Sequence, residues 1–267
     1  MQKIITPVPI QLGSRTAGTN SLGLYLNANK LLGGNPNPAD GTAITTGANA
    51  WRDLSGSNNI AAQGTALNQP LFKTNVANGN NMVLFDGSDD VLQVETATSL
   101  DDLFANGGFS LFAVVPTGMG GGPSGGQGRL FSQGGGNSYQ YIIDQSGSNC
   151  KFGLHRAFTT DGEWLTNNRV VTLNAVNIIG VSYNSSSPSN DPIFYINSKT
   201  AAAITETSTP TGTPAATSLI RIGNSATTSR TWAGYMGDIL MFKDALNAGQ
   251  IGSLMEWAAR KYGVTLS

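Results

Sequence analysis

The chain has 267 residues, of which 39% are hydrophobic and only 12% charged, with 34 Gly, 11 Pro, one Cys and one His. A formal net charge of −1 leaves no general basic surface, which excludes nucleic acid as a partner. The single cysteine, Cys150, can form neither an internal disulfide nor a cysteine-based zinc site.

In chain order, residues 1–20 carry Pro7 and Pro9 and then a Gly/Ser/Thr/Asn stretch, without core-forming periodicity. They read as an extended arm that anchors on a neighbouring protein, or as a strand or loose terminus lying on its own domain. Lys3 is followed by an apolar run that the two prolines interrupt, so no export signal is expected there. Residues 21–267 read as one domain, a length that a large β-sandwich fills without a covalent or metal staple. Short apolar clusters bounded by Gly, Asn, Pro or Ser predict strands at 22–28, 82–85, 91–94, 109–115, 129–132 and 139–143. Further strands are predicted at 151–155, 170–173, 178–183, 193–197, 219–222 and 235–242. About a dozen strands and almost no helix imply two packed antiparallel sheets. The longest apolar run, 109–116, is far below the ~20 residues that cross a bilayer, so no membrane insertion is expected.

Local patterns add detail. The Gly-rich stretch 118–128 contains G-x-G-x-x-G at Gly120, Gly122 and Gly125, but no helix follows to receive a pyrophosphate. It reads as a flexible connection. In 193–197 both faces are apolar, which predicts a central strand, and in 235–242 alternation places Asp238 on one face with Met236, Leu240 and Phe242. A single helix is written at the end: Asn247 and Gln250 make a capping box, Leu246 and Ile251 a hydrophobic staple, and Gly263 a stop. Its apolar positions, from Ile251 to Tyr262, predict a lid packed on the sandwich.

Hydrolytic chemistry finds few candidates. His155 is the only imidazole, and no G-x-S-x-G elbow is present. The four glutamates, Glu95, Glu163, Glu206 and Glu256, are too far apart to share a strand. Asp161 and Glu163 have i, i+2 spacing, but Gly162 and the preceding Thr159-Thr160 read as a turn; a glycosidase needs two such carboxylates facing one cleft. No enzymatic activity is expected. The stretches 51–59 and 86–90 are rich in Asp and Asn, residues that either cap their own turns or supply oxygens to a hard cation. Asp53, Asn58 and Asp238 are the candidate calcium ligands, and no cofactor is required.

The order of Leu24-Tyr25-Leu26-Asn27-Ala28, Trp51-x-Asp53-Leu54-Ser55-Gly56, Gln69-Pro70 and Val83-Leu84-Phe85-Asp86-Gly87-Ser88-Asp89-Asp90 resembles concanavalin A-like lectin/glucanase domains. The nearest branch is the laminin-G-like jelly roll of bacterial and phage surface proteins. Phe109 to Val115, Ile193 to Asn197, Ile220-x-Ile222-Gly223-Asn224 and Trp232 to Phe242 continue the resemblance, which the C-terminal helix closes. It implies an all-β, two-sheet antiparallel jelly-roll sandwich with one C-terminal helix. It further implies calcium near the Asp53 turn and Asp238. The Glu-x-Asp-x-(x-)Glu strand of the family's enzymes is absent, so hydrolase activity does not carry over.

A ring face stacks on sugar C–H surfaces, which makes Trp164 and then Tyr139 the candidate contacts for a polysaccharide ligand. The reading that follows is a non-enzymatic bacteriophage virion surface protein with a lectin-like domain. Residues 1–20 would then join a capsid or tail protein, with a homotrimer as one arrangement. The alternatives are a secreted carbohydrate-binding module or lectin, which would be extracellular, and a degenerate glycoside hydrolase in which Asp161 and Glu163 converge.

Overall fold

The computed structural model describes residues 22–33, 36–94, 100–122, 126–215 and 219–267; the expected arm at 1–20 lies outside them. The described strands are β1 (Leu22–Asn27), β2 (Ala61–Ala62), β3 (Leu71–Ala77), β4 (Asn80–Asp86), β5 (Leu92–Val94), β6 (Gly108–Pro116), β7 (Gly128–Gln133) and β8 (Ser138–Ser146). They continue as β9 (Asn149–Arg156), β10 (Gly162–Thr166), β11 (Val171–Thr172), β12 (Asn177–Tyr183), β13 (Ile193–Ile196), β14 (Ile204–Ser208), β15 (Ile220–Ile222) and β16 (Ala233–Phe242). One α-helix, α1 (Ala248–Tyr262), follows.

The strands form two antiparallel sheets. The seven-stranded sheet runs β13-β12-β6-β16-β4-β3, with β1 also paired to β16. The nine-stranded sheet runs β14-β10-β9-β8-β7-β15-β5-β2, with β11 on β9. The two bury a common core in which Trp51, Trp164 and Trp232 are fully inaccessible and Phe112 stacks on Phe131 across the sandwich at 6.1 Å. Burying each such side chain contributes about 1.5–3 kcal/mol.

The seven-stranded sheet is covered on its outer face as well. Phe109, Leu111, Leu240 and Phe242 pack there with Ile251, Leu254, Met255, Ala258 and Tyr262 of α1. The helix is delimited as its sequence dictates: Asn247 and Gln250 exchange side-chain-to-backbone bonds of 2.9 and 3.0 Å, and Gly263 stops it at φ 72. Among the described residues, the lid leaves the outer face of the nine-stranded sheet without a covering helix.

Several expectations are corrected. β13 is an edge strand, not a central one; both its faces are apolar because the inter-sheet core lies on one side and α1 on the other. Ile193, at its end, is 44% exposed. In β16 the register with β6 shifts between Met236 and Ile239. This bulge turns Met236 into the inter-sheet core while Leu240 and Phe242 face the helix, so Asp238 does not share a face with Met236. The segment read as a turn around Glu163 is strand β10, and the polar strand β14 pairs with it. Finally, the described ends of the Gly-rich connection are hydrogen-bonded, Gly121 N–H donating to Thr231 O and Gly128 N–H to Met119 O, while residues 123–125 lie outside the described residues.

Candidate functional site

Alternation along the nine-stranded sheet sends Leu92, Ile222, Phe131, Ile142, Leu154 and Trp164 into the core. The residues between them point outward, to a face that no helix covers among the described residues. Strand register aligns these outward residues into one transverse row. Gln93 on β5 pairs with Arg221 on β15, Arg221 with Ser132 on β7, and Ser132 with Tyr139 on β8. Tyr139 pairs in turn with His155 on β9, His155 with Glu163 on β10, and Glu163 with Ser208 on β14. At ~4.8 Å between strands this row is about 29 Å long. Every member is polar or aromatic.

The centre of the row is a stack. The Arg129 guanidinium carbon lies 3.5 Å from the Tyr139 ring centroid, and the His155 ring lies 4.5 Å away and nearly parallel, at 9°. Two groups this near cannot occupy the same side of one ring, so they cover opposite faces of Tyr139. Burial pushes the Arg129 pKa down and the Tyr139 pKa up, each against the attraction of the other. For His155, burial outweighs the Asp161 carboxylate 3.2 Å away and lowers the imidazole pKa. Burial thus favours the neutral imidazole, whose contact with Asp161 is a hydrogen bond. Arg129 Nε and His155 Nδ1 are buried without a hydrogen-bond partner. Such groups cost free energy where they stay unsatisfied, and with almost no exposed surface neither atom is within reach of a ligand on the outer face.

A second contact braces this face. The Tyr141 hydroxyl, on β8, reaches over β9 and donates to Glu163 Oε1 on β10. It passes above Gly153, where a Cβ would sit 2.7 Å from the Tyr141 ring and 2.6 Å from Leu165. Thr207 donates to the other Glu163 oxygen at 3.2 Å. Asp161 and Glu163 thus both neighbour His155, and each is already engaged by a hydrogen-bond partner.

The expected ligand contacts are placed differently. Trp164 is fully buried, edge-on to Tyr183, with its indole N–H donating to Asp191 at 2.8 Å. It presents no ring face to solvent, because its position in β10 points to the core. Tyr139 does lie on the open face, but both sides of its ring are covered, so it offers an edge and a hydroxyl. Sequence reasoning missed Arg129, Tyr141, Gly153 and Arg221 because their roles follow from cross-strand neighbours. Only the alternation of Tyr139 and Tyr141 around buried Gln140 hinted at a shared outer face.

The expected calcium ligands do not assemble. Both Asp53 oxygens are occupied, Oδ1 by Tyr25 N–H and Ser55 N–H, Oδ2 by the Ser55 hydroxyl and Asn59 N–H, at 2.7–2.9 Å. Asn58 is exposed in a left-handed conformation, φ 59. Asp238 is completely buried and accepts from Lys261 Nζ at 2.5 Å and the Tyr262 hydroxyl at 2.9 Å. Burial raises its pKa, opposed by Lys261. A cation needing about six to eight oxygens would have to displace an ammonium from Asp238 and four donors from Asp53. These residues do not fit a calcium ion. Asp86, Asp89 and Asp90 do approach one another within 4.8 Å, but Asp86 caps Ser88 N–H and Asp90 caps Asp86 N–H.

Two antiparallel sheets closed on one side by a helix, with a polar row across the free side, define a lectin-like jelly roll. The chain belongs to the concanavalin A-like lectin/glucanases superfamily, whose laminin-G-type family model matches residues 86–252. No curated protein matches the sequence. Among solved structures, the chain is similar to the binding domain of botulinum neurotoxin serotype G (TM-score 0.57, 14% identity), covering 89% of this chain and 51% of that one. It is also similar to domain 4 of AbnA, an extracellular arabinanase from Geobacillus stearothermophilus solved with arabinotriose (TM-score 0.54, 13% identity, 88% and 98% covered). A third is the ligand-binding domain of botulinum neurotoxin serotype D in complex with N-acetylneuraminic acid (TM-score 0.55, 12% identity, 84% and 53% covered). The chain spans about half the length of the neurotoxin domains it matches.

Proposed function

We propose that this protein is a non-enzymatic glycan-recognition protein whose binding surface is the open face of the nine-stranded sheet. The observation that carries this reading is the transverse row from Gln93 through Arg221, Ser132, Tyr139, His155 and Glu163 to Ser208. An extended chain of sugars presents hydroxyls at short intervals, and this row carries polar side chains at the strand spacing, accessible at Gln93, Arg221 and Tyr139 and buried at Ser132. The stack of Arg129, Tyr139 and His155 marks its centre. Asp161 and Glu163 act in this reading as hydrogen-bonding groups rather than as an acid and a nucleophile, since His155, Tyr141 and Thr207 already hold them.

The setting we propose is the surface of a bacteriophage particle, with residues 1–20 joining the domain to a capsid or tail protein. A chain with only 12% charged residues and loops rich in Asn, Gly, Ser and Thr suits a coat exposed to varied surroundings. A secreted binding module is the second reading; it is favoured by the likeness to AbnA domain 4, of which 98% is covered.

Binding of the full chain to a glycan array, with and without chelator, tests the function. Saturable binding is expected, insensitive to chelation and weakened at least tenfold by Tyr139→Ala; an array without a binding glycan overturns it. Particles assembled with a chain lacking residues 1–20 test the setting: loss of incorporation is expected, and normal incorporation overturns the anchoring role.

A further inference from the structure

The polar row ends at a groove of about 320 Å³ between β5, β15 and the loops above them, lined by Thr46, Gln63, Asn68, Gln93, Arg221 and Thr228. No acidic side chain lines it. Arg221 stands within it without an ion pair or side-chain hydrogen bond to any described residue, whereas Arg156 and Arg169 each pair with an aspartate. The carboxamides of Asn68 and Gln93 likewise make no hydrogen bond to any described residue. The wall beside them is fixed: Gln63 donates to Val91 O at 2.9 Å and accepts from Thr65 N–H at 2.8 Å. Thr228, on the opposite wall, holds φ 52, a conformation that β-branched residues rarely adopt.

A half-buried guanidinium in a groove of neutral amides and hydroxyls is available to a planar or tetrahedral anion. Its forked N–H groups fit a carboxylate or sulfate in bidentate fashion. The protein as a whole has a net charge of −1, so general basicity is not what would draw an anion here. Arg129, stacked on Tyr139 from the β7 side, adds positive charge between this groove and the centre of the row. Asp161 and Glu163 make the β10 end negative. The row is therefore polarised along its length.

We infer that the Arg221 groove binds the anionic substituent, carboxylate or sulfate, of an acidic saccharide lying along the row, with Asn68 and Gln93 bonding the adjoining hydroxyls. This rests on the glycan-binding reading above and specifies the ligand class for that site.

Calorimetric titration of the full chain with an oligogalacturonate, the same oligosaccharide after carboxyl reduction, a sulfated galactan oligosaccharide, and inorganic sulfate tests it. At least one anionic saccharide is expected to bind tenfold or more tightly than the reduced one. Raised salt should weaken that binding, and Arg221→Gln should abolish the preference while leaving the melting temperature unchanged. Which anionic saccharide binds distinguishes carboxylate from sulfate. Equal affinity for charged and reduced forms, a preference that survives Arg221→Gln, binding of inorganic sulfate alone, or no binding of either anionic saccharide overturns the inference. If that happens while the array still returns a neutral glycan sensitive to Tyr139→Ala, the function stands without this ligand class. An empty array removes both.

Discussion

The Tyr141 hydroxyl meets the Glu163 carboxylate at 2.5 Å across an intervening strand, and it can do so only because that strand carries Gly153 at the crossing point. One absent side chain thus couples β8 to β10 and sets the position of the acid near the β10 end of the row. Burial, the hydrogen bond and the charge of Glu163 all push the Tyr141 pKa well above its ordinary value, so it remains a donor throughout the working pH range.

Gly153→Ala should break this coupling. The new methyl would meet the Tyr141 ring and Leu165 at 2.6–2.9 Å, and overpacking of that kind costs about 1–3 kcal/mol. Tyr141→Phe keeps the ring and loses only the bond, with an expected cost of about 1 kcal/mol. Urea denaturation of both variants checks the ranking; equal stability of Gly153→Ala and the parent would contradict it.

The buried pair of Asp238 and Lys261 predicts an asymmetry. Lys261→Met leaves a carboxylate with no solvent access and no cation, an expected loss of about 3–5 kcal/mol. Asp238→Asn should cost clearly less, because Lys261 retains 16% exposure and its ammonium can turn outward. A double-mutant cycle read by chemical denaturation would show whether the two residues couple.

Chelation should change nothing. With Asp53 saturated by four protein donors and Asp238 held by Lys261, EDTA is expected to leave the melting temperature in place. Differential scanning calorimetry with and without calcium measures this, and a calcium-dependent shift of several degrees would sink the assignment.

Asp90 predicts a pH effect. Burial first, then the charges of Asp86 and Asp89, raise its pKa from 3.8 to about 7, opposed by the bond from Asp86 N–H. The native state therefore keeps a proton that the unfolded chain releases. The resulting stability is complete below pH 3.8 and is lost as pH rises through about 7. Asp90→Asn, which can still accept from Asp86 N–H, should match the parent near pH 4 and melt higher at pH 8. Melting curves across that range decide it; parallel profiles would be the wrong outcome.

The helix cap offers a local control. Asn247→Ala removes the acceptor for Gln250 N–H and should cost about 1 kcal/mol without altering the open face. Thermal denaturation together with unchanged glycan binding would separate lid stability from recognition.

Much of the fold was legible in the sequence because it is encoded locally. Period-2 clusters such as 109–115 and 178–183 mark strands, and Asn247, Gln250 and Gly263 delimit a helix whose apolar stripe needs a partner. β14, Ile204–Ser208, escaped notice because its Thr and Glu side chains are mostly exposed and carry no apolar period. Glu163 was misread as part of a turn because Gly162, whose missing Cβ makes room for the Trp164 ring, looks like a breaker in one dimension.

By itself, then, the sequence determined the fold class, the capped lid and the absence of a glucanase acid strand, since each depends on residues within a few positions of one another. Only the tertiary structure decided which aromatic residue faces solvent, whether Asp53 and Asp238 can share an ion, and which side chains meet on the open face. Those outcomes depend on register between strands far apart in the chain. One bulge at Met236–Ile239 or one missing Cβ at Gly153 changes which groups become neighbours.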